Sequence, residues 1–222
     1  MNLIIAEVLQ QSKMYYTKGV ESDDSRLSDR AVYSELLVHR SELLTQQSNK
    51  KQSFNSSTYQ TLHKIDMEDV ELVSGSSLLL MRSVKEIPLV LNDNSGFLIE
   101  SVTNLEGSTR YNYTTKWHTF YNRKGRKFTS SIPGCILKDN RIWITTKRKP
   151  ETIIMRAIFY DPIQASLFNI TSECKENCAE YSSFEFNMES DKLRVLTTMV
   201  GEKLIDKFGK AQPDLVNNSS EQ

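Results

Sequence analysis

Cys135-Ile136-Leu137-Lys138-Asp139-Asn140-Arg141-Ile142-Trp143-Ile144-Thr145-Thr146 places two β-rich runs on either side of an Asp-Asn pair. Both turn residues tolerate the positive φ that a two-residue hairpin needs, so the stretch reads as strands 135–138 and 141–146 joined by a tight turn. Further candidate strands lie on both sides, at 60–66, 96–102, 116–121, 127–130 and 152–160. Turn signals separate them: Asn92 to Gly96, Leu105-Glu106-Gly107 and Asn122-Arg123-Lys124-Gly125. Several short strands at close spacing predict a small antiparallel sandwich or barrel-like sheet.

The pattern is helical on both flanks. Residues 3–15 put Leu3, Ile4, Val8 and Leu9 near one face, and residues 18–25, with Gly19 and a Ser/Asp cluster, break the helix and cap the next. The second helix runs from Leu27 or Ser28 to Lys50, with Val32, Tyr33, Leu36, Leu37, Leu43 and Leu44 at helical spacing. Two antiparallel helices with a short connection are the simplest packing. A polar linker at 48–57 leads into the strands. A terminal helix at 190–209 carries Leu193, Leu196, Met199, Val200, Leu204, Ile205 and Phe208. The fold expected is therefore α+β: helical hairpin 1–52, β domain 53–186, C-terminal helix 187–210 and a polar extended tail 211–222, loose in a lone monomer, with a neighbouring subunit the natural candidate to hold it. No internal repeat is present.

Composition narrows the function. The 222 residues hold 38% apolar and 25% charged side chains, typical of a globular chain of one or two domains. Lys plus Arg equals Asp plus Glu, 28 against 28, so no global field draws the protein to nucleic acid or membrane. No run approaches the roughly 20 apolar residues of a membrane span. The opening Met1 to Gln10 lacks a basic region and is interrupted by Glu7, so an amphipathic helix is expected rather than a leader, and residence in the cytosol. The sequons at Asn112 and Asn169 then carry no glycosylation meaning.

Chemistry-bearing motifs are scarce. Cys135, Cys174 and Cys178 are odd in number, which argues against a disulfide framework. Cys174 and Cys178 have the spacing for one side of a zinc site, but a closed site needs four ligands and no His or Cys pair complements them. His39, His63 and His118 are scattered; His118, opposite Trp117 in its candidate strand, reads as a partly exposed strand histidine. There is no nucleophile elbow, phosphate loop, dinucleotide fingerprint or zinc-protease motif. Asp23-Asp24 precedes a helix, where acids favour the positive end of the dipole. No catalytic residue, metal or cofactor is expected. Two basic clusters, Arg123, Lys124, Arg126 and Lys127 beside aromatics, and Lys147, Arg148 and Lys149, read first as solvated loop tips and second as contacts to DNA or a partner.

The segment Tyr16-Thr17-Lys18-Gly19-Val20-Glu21-Ser22-Asp23-Asp24-Ser25-Arg26-Leu27-Ser28-Asp29-Arg30-Ala31-Val32-Tyr33 and its continuation to Leu44 resembles the opening of a virion structural protein of crAss-like bacteriophages, a head-to-tail ring or connector component. Lys18, Gly19, Ser22 to Ser28, Arg30 and Tyr33 carry the likeness, with Asn49-Lys50-Lys51-Gln52, Tyr59-Gln60-Thr61-Leu62 and Phe159-Tyr160-Asp161-Pro162 in support. One departure stands out: residues 63–90 hold no cysteine and only Pro88, where the family is richer in both.

The resemblance implies a non-enzymatic protein that forms a ring with copies of itself, twelvefold to match the portal, and meets the portal, an adjacent ring or tail protein, and passing genomic DNA. Its expected location is the virion neck or tail, with the host cytoplasm during assembly. Subunit contacts are expected at Leu27, Arg30, Tyr33, Leu37, Arg40 and Leu44 on the second helix, at Leu204 and Phe208, and at Leu215 in the tail. The charges Asp29, Arg30, Glu35, Arg40 and Glu42 read as intrahelical pairs ahead of pairs between subunits. Alternative readings are a tail-tube or tail-hub subunit, a DNA-binding accessory virion protein using the basic clusters, and a wall-degrading tail enzyme, which the lack of a motif disfavours.

Overall fold

The computed structural model describes residues 4–17, 27–70, 79–116, 133–146, 148–170 and 183–208. The chain forms two compact units: one from Met1–Lys50 together with Glu180–Gln222, the other from the continuous Lys51–Ala179.

The first unit is helical. Helix α1 (Ile5–Thr17) buries Ile5, Val8, Ser12 and Tyr16, a stripe repeating every three to four residues. The expected face is thus rotated: Ile4 is exposed and Leu9 half-buried. Ser12 is tolerated inside because its hydroxyl donates to the Val8 carbonyl at 2.9 Å. Helix α2 (Asp29–Asn49) starts on Ser28, whose side chain accepts from the Ala31 amide. Its buried face is Val32, Leu36, His39, Arg40, Leu44 and Gln47, while Tyr33, Leu37 and Leu43 are half-buried. The C-terminal helix, α4 (Ser190–Phe208), buries Leu193, Leu196, Thr197, Val200, Gly201 and Leu204. It packs on α1 and on α2 more extensively than those two pack on each other, so the expected hairpin is part of a three-helix arrangement. Its close approach to α1 is visible at Gly201: a Cβ there would lie 2.9 Å from the Tyr15 Cβ, an approach only glycine permits. Residues 184–188 belong here too. Ile5 donates its amide to the Phe184 carbonyl at 2.9 Å, Ile4 bridges Glu185, and Phe186 and Met188 are buried.

The second unit is a β-barrel in the making. Nine strands are described: β1 (Gln60–Val70), β2 (Leu79–Ser83), β3 (Asn92–Asp93), β4 (Gly96–Phe97), β5 (Ile99–Asn104), β6 (Asn112–Tyr113), β7 (Gly134–Lys138), β8 (Arg141–Thr146) and β9 (Thr152–Ala157). Seven of them form one sheet in the order β5-β9-β1-β2-β8-β7-β6. The two ends of that order meet: Tyr111 donates to the Val102 carbonyl at 2.8 Å and Asn104 to the Thr109 carbonyl at 3.0 Å, so β5 turns directly into the segment leading to β6. The sheet is therefore a nearly closed barrel, which leaves few open strand edges.

The hairpin at Asp139-Asn140 forms as read: both residues have φ of 53°, and Lys138 pairs with Arg141. Four expectations are corrected. The 60–66 strand continues to Val70. The 96–102 strand splits into β4 and β5, and the 152–160 strand stops at Ala157. Pairing is not wholly antiparallel, since β6 runs parallel to β7. The candidate strands 116–121 and 127–130 fall almost wholly outside the described residues.

Four of these elements were not foreseen: β2, the two-residue strands β3 and β6, and helix α3 (Pro162–Asn169). The Leu-Leu-Met run of β2 favours helix as readily as strand, and burial on both faces decides it. Helix α3 is signalled by Asp161, which accepts from the Ile163 amide at 2.9 Å, followed by Pro162 in its first turn. It ends on Asn169, whose amide group serves the irregular register of β1: it accepts from the His63 amide at 2.9 Å and donates to the Thr61 carbonyl at 2.8 Å. A bulge of this kind lets a strand bend around a small barrel. The interior is filled by side chains including Leu62, Met81, Val102, Ile142, Ile144 and Phe159.

Candidate functional site

The residues singled out in the sequence divide by burial. Leu27, Arg40, Leu44 and Leu204 are buried within the helical unit, so their side chains serve the protomer's own core. Tyr33 and Leu37 are half-buried, and Arg30 and Phe208 are exposed. Leu215 lies outside the described residues, as do Arg123, Lys124, Arg126, Lys127, Lys147, His118, Cys174 and Cys178. Of the second basic cluster, Arg148 is exposed and Lys149 forms an ion pair with Asp69.

Arg40 is the largest side chain in this fully buried set. Its Nε and Nη2 donate to the Asn187 carbonyl at 3.3 and 2.9 Å, and the guanidinium sits 5.7 Å from the Phe186 ring centroid. A planar fork with delocalised charge suits this combination of carbonyl and aromatic face, which a lysine could not reproduce. Arg40 thus fastens the segment before α4 onto α2.

The remaining charges of α2 reach other helices rather than only each other. Asp29 pairs with Lys13 of α1 at 2.5 Å, and Glu35 with Lys207 of α4 at 2.5 Å. Within α2, Glu42 meets His39 Nδ1 at 2.8 Å, and Glu35 stands 4.0 Å from His39 Nε2. Two of these pairs link α2 to its neighbours and two lie within it. Exposed members contribute little energy each, roughly 0–1 kcal/mol.

Two surface features remain once the core residues are set aside. The first is a groove between α1 and α4 of about 590 Å³, lined by Gln11, Met14, Tyr15, Arg194, Thr197, Thr198 and Ile205. Met14 is 52% exposed and Tyr15 46%, so large apolar side chains of α1 stand in water at this groove. The sequence pattern assigned α1 and α4 one apolar face each and could not show that a second would stay open. The second feature is a more polar cleft of about 380 Å³ on the barrel, between the 104–111 turn and the 146–152 loop. Glu106, Arg148, Lys149 and Glu151 line it together with Tyr111 and Thr146. Burial raises the Tyr111 pKa, a hydrogen bond with Thr146 opposes the rise, and Cys135 adds to it. Among the described residues no group of three or more His, Cys, Asp or Glu side chains is placed to hold a metal ion.

The described residues thus form an α+β protein with a nearly closed barrel and a three-helix unit that carries an open apolar groove. Its sequence gives the particular assembly: residues 5–222 match the phage tail ring protein 2 family, and the chain belongs to that family of crAss-like phage ring proteins. The likeness carried by Lys18 to Tyr33 is thereby confirmed across the whole chain. A ring protein of the tail is a structural part of the virion, associating with copies of itself and with tail neighbours. A comparison with curated proteins finds no match. No helix among the described residues is long and apolar enough to cross a membrane.

Proposed function

We propose that this tail ring protein is the connector subunit between portal and tail: a non-catalytic protomer that forms a twelvefold ring, contacts the portal on one side and the next ring or tail protein on the other, and surrounds the channel that genomic DNA passes through. Assembly takes place in the host cytoplasm and the finished ring resides in the virion neck. The family supports the ring and the tail; the observation that supports a protomer built for repeated contact is the exposed apolar groove between α1 and α4. A closed ring needs two different, mutually complementary surfaces on each copy. The helical unit offers such a surface, and exposed Leu79, Val84, Leu89 and Leu105 give the barrel unit apolar positions of its own.

A tail-tube or hub subunit would share these features and differ in symmetry and position. The DNA-binding reading has less support at the second basic cluster, where Lys149 is already neutralised by Asp69. The test is the mass of the purified chain by light scattering, alone and then with portal. A ring-sized species that forms or enlarges with portal is the expected result. A monomer indifferent to portal would overturn the portal-proximal reading.

A further inference from the structure

The groove between α1 and α4 is lined by the apolar side chains of Met14, Tyr15 and Ile205 and by a cation, Arg194. Ile205 stands one turn before the end of α4 at Phe208, and fourteen further residues follow, 209–222. At about 3.3 Å per extended residue their greatest reach is roughly 45 Å. Their apolar content is concentrated in one adjacent pair, Leu215-Val216, preceded directly by the acid Asp214 and flanked by Pro213 and Asn217. An acid beside two aliphatic side chains is the complement of a cation beside apolar ones. A segment of this composition can be ordered by a groove at the entropic cost of fixing few residues.

We infer that the α1–α4 groove of one copy receives the 209–222 segment of the next, with Leu215 and Val216 seated against Met14, Tyr15 and Ile205 and Asp214 paired with Arg194. The inference rests on the ring reading and supplies its donor and acceptor: the segment after α4 is one surface, the groove the other. Such an exchange is heterologous, so it propagates from copy to copy and closes when the ring does. It also places a half-exposed tyrosine in the contact, a side chain that contributes large area at low entropic cost.

The test uses a fluorescent peptide of sequence 209–222 and the full chain carrying Leu215→Asp and Val216→Asp, whose own segment can no longer compete. Saturable binding is expected, and Thr198→Trp, which fills the groove, abolishes it. Arg194→Glu, which leaves the groove open, weakens it at least tenfold. The wild-type chain, diluted until light scattering shows a monomer, binds the peptide as tightly as the double variant does. Absence of saturable binding, or binding indifferent to both Thr198→Trp and Arg194→Glu, overturns the inference. So does a wild-type monomer that refuses the peptide while the double variant takes it, because the segment then covers its own groove. None of these outcomes depends on the portal, so the ring reading stands or falls separately on the mass measured with portal present.

Discussion

The guanidinium of Arg40 donates from two nitrogens to the carbonyl oxygen of Asn187, 147 positions further along the chain. One side chain of α2 therefore holds the strand-like segment that leads into α4, and the helical unit depends on both halves of the sequence. Replacing Arg40 by Met keeps an apolar stem but leaves the Asn187 carbonyl without its charged donor and opens space beside Phe186. The expected loss is roughly 2–4 kcal/mol, from a charge-assisted bond to a buried acceptor and incomplete filling of the site. Arg40→Lys restores charge but not the fork, so it recovers only part. Urea unfolding followed by far-ultraviolet circular dichroism measures the difference. An Arg40→Met chain as stable as wild type would show that the contact is incidental.

Gly201 is in helix α4, where glycine is normally a cost of about 1 kcal/mol against alanine. Here the added Cβ would meet Tyr15 Cδ1 at 2.7 Å and Tyr15 Cβ at 2.9 Å. The ring atom can swing aside, but the Cβ moves only with α1. Gly201→Ala is therefore expected to destabilise by about 1 kcal/mol net, the overlap outweighing the propensity gain. Pairing it with Tyr15→Ala relieves the ring overlap and leaves the Cβ contact, so a double-mutant cycle should show partial recovery. A stabilising Gly201→Ala would mean that α1 and α4 are not held at this separation.

Three tyrosines of the barrel unit give it an alkaline limit. Burial raises the pKa of Tyr59, Tyr111 and Tyr113 above the ordinary 10.0. At Tyr59 the Glu100 carboxylate adds to the effect and Arg156 opposes it. At Tyr113 the hydrogen bond from the Phe97 amide opposes it. A phenol whose folded pKa lies above its unfolded value contributes stability that is complete below pH 10.0 and is lost as pH rises through the folded pKa. Stability should thus be insensitive to these groups at neutral pH and fall only as pH rises past 10.0. Phenolate absorbance of the folded chain should appear later in an alkaline titration than that of the urea-unfolded chain. Coincident titrations would contradict the burial of these rings.

The parts of the fold that could be read from the sequence are those in which local chemistry and tertiary structure agree. Asp139-Asn140 fixes a hairpin by backbone preference alone, and Ser28 followed by a 3.6-residue stripe fixes α2. What could not be read depends on contacts distant in sequence. Strand β2 is a Leu/Met run that becomes a strand because β1 and β8 lie on either side of it. Arg40 looks like a surface charge on an amphipathic helix until Asn187 and Phe186 are brought over it. Leu27, Leu44 and Leu204 were reasonable interface candidates by hydrophobicity, but hydrophobicity does not distinguish a side chain buried at home from one buried against a neighbour. The groove face shows the converse. Met14 and Tyr15 fall off the α1 stripe, and only the packing of α1 beside α4 leaves them lining an open groove. The likeness in Lys18 to Tyr33 gave the family from residues that lie in large part outside the described structure.

The two units should also differ in their independence. The barrel unit is one continuous stretch, Lys51–Ala179, with its own core of Leu62, Met81, Ile144 and Phe159 among others, and its strand order closes on itself through Tyr111 and Val102. The helical unit is split, with α1 and α2 at one end of the sequence and α4 at the other. A chain of residues 51–179 is therefore expected to unfold cooperatively on its own. Residues 1–50 alone lack Leu193, Leu196, Val200 and Leu204, the side chains of α4 that are buried in this unit, and lack the Asn187 acceptor for Arg40. Two helices without that third layer should show weak helicity and no cooperative transition, since isolated helices of this length are marginal in water. Adding residues 183–208 as a separate peptide should restore helicity in proportion to its binding. Cooperative folding of 1–50 by itself would mean that α1 and α2 form a self-sufficient hairpin. Arg40 would then be a consequence of the helical unit rather than one of its supports.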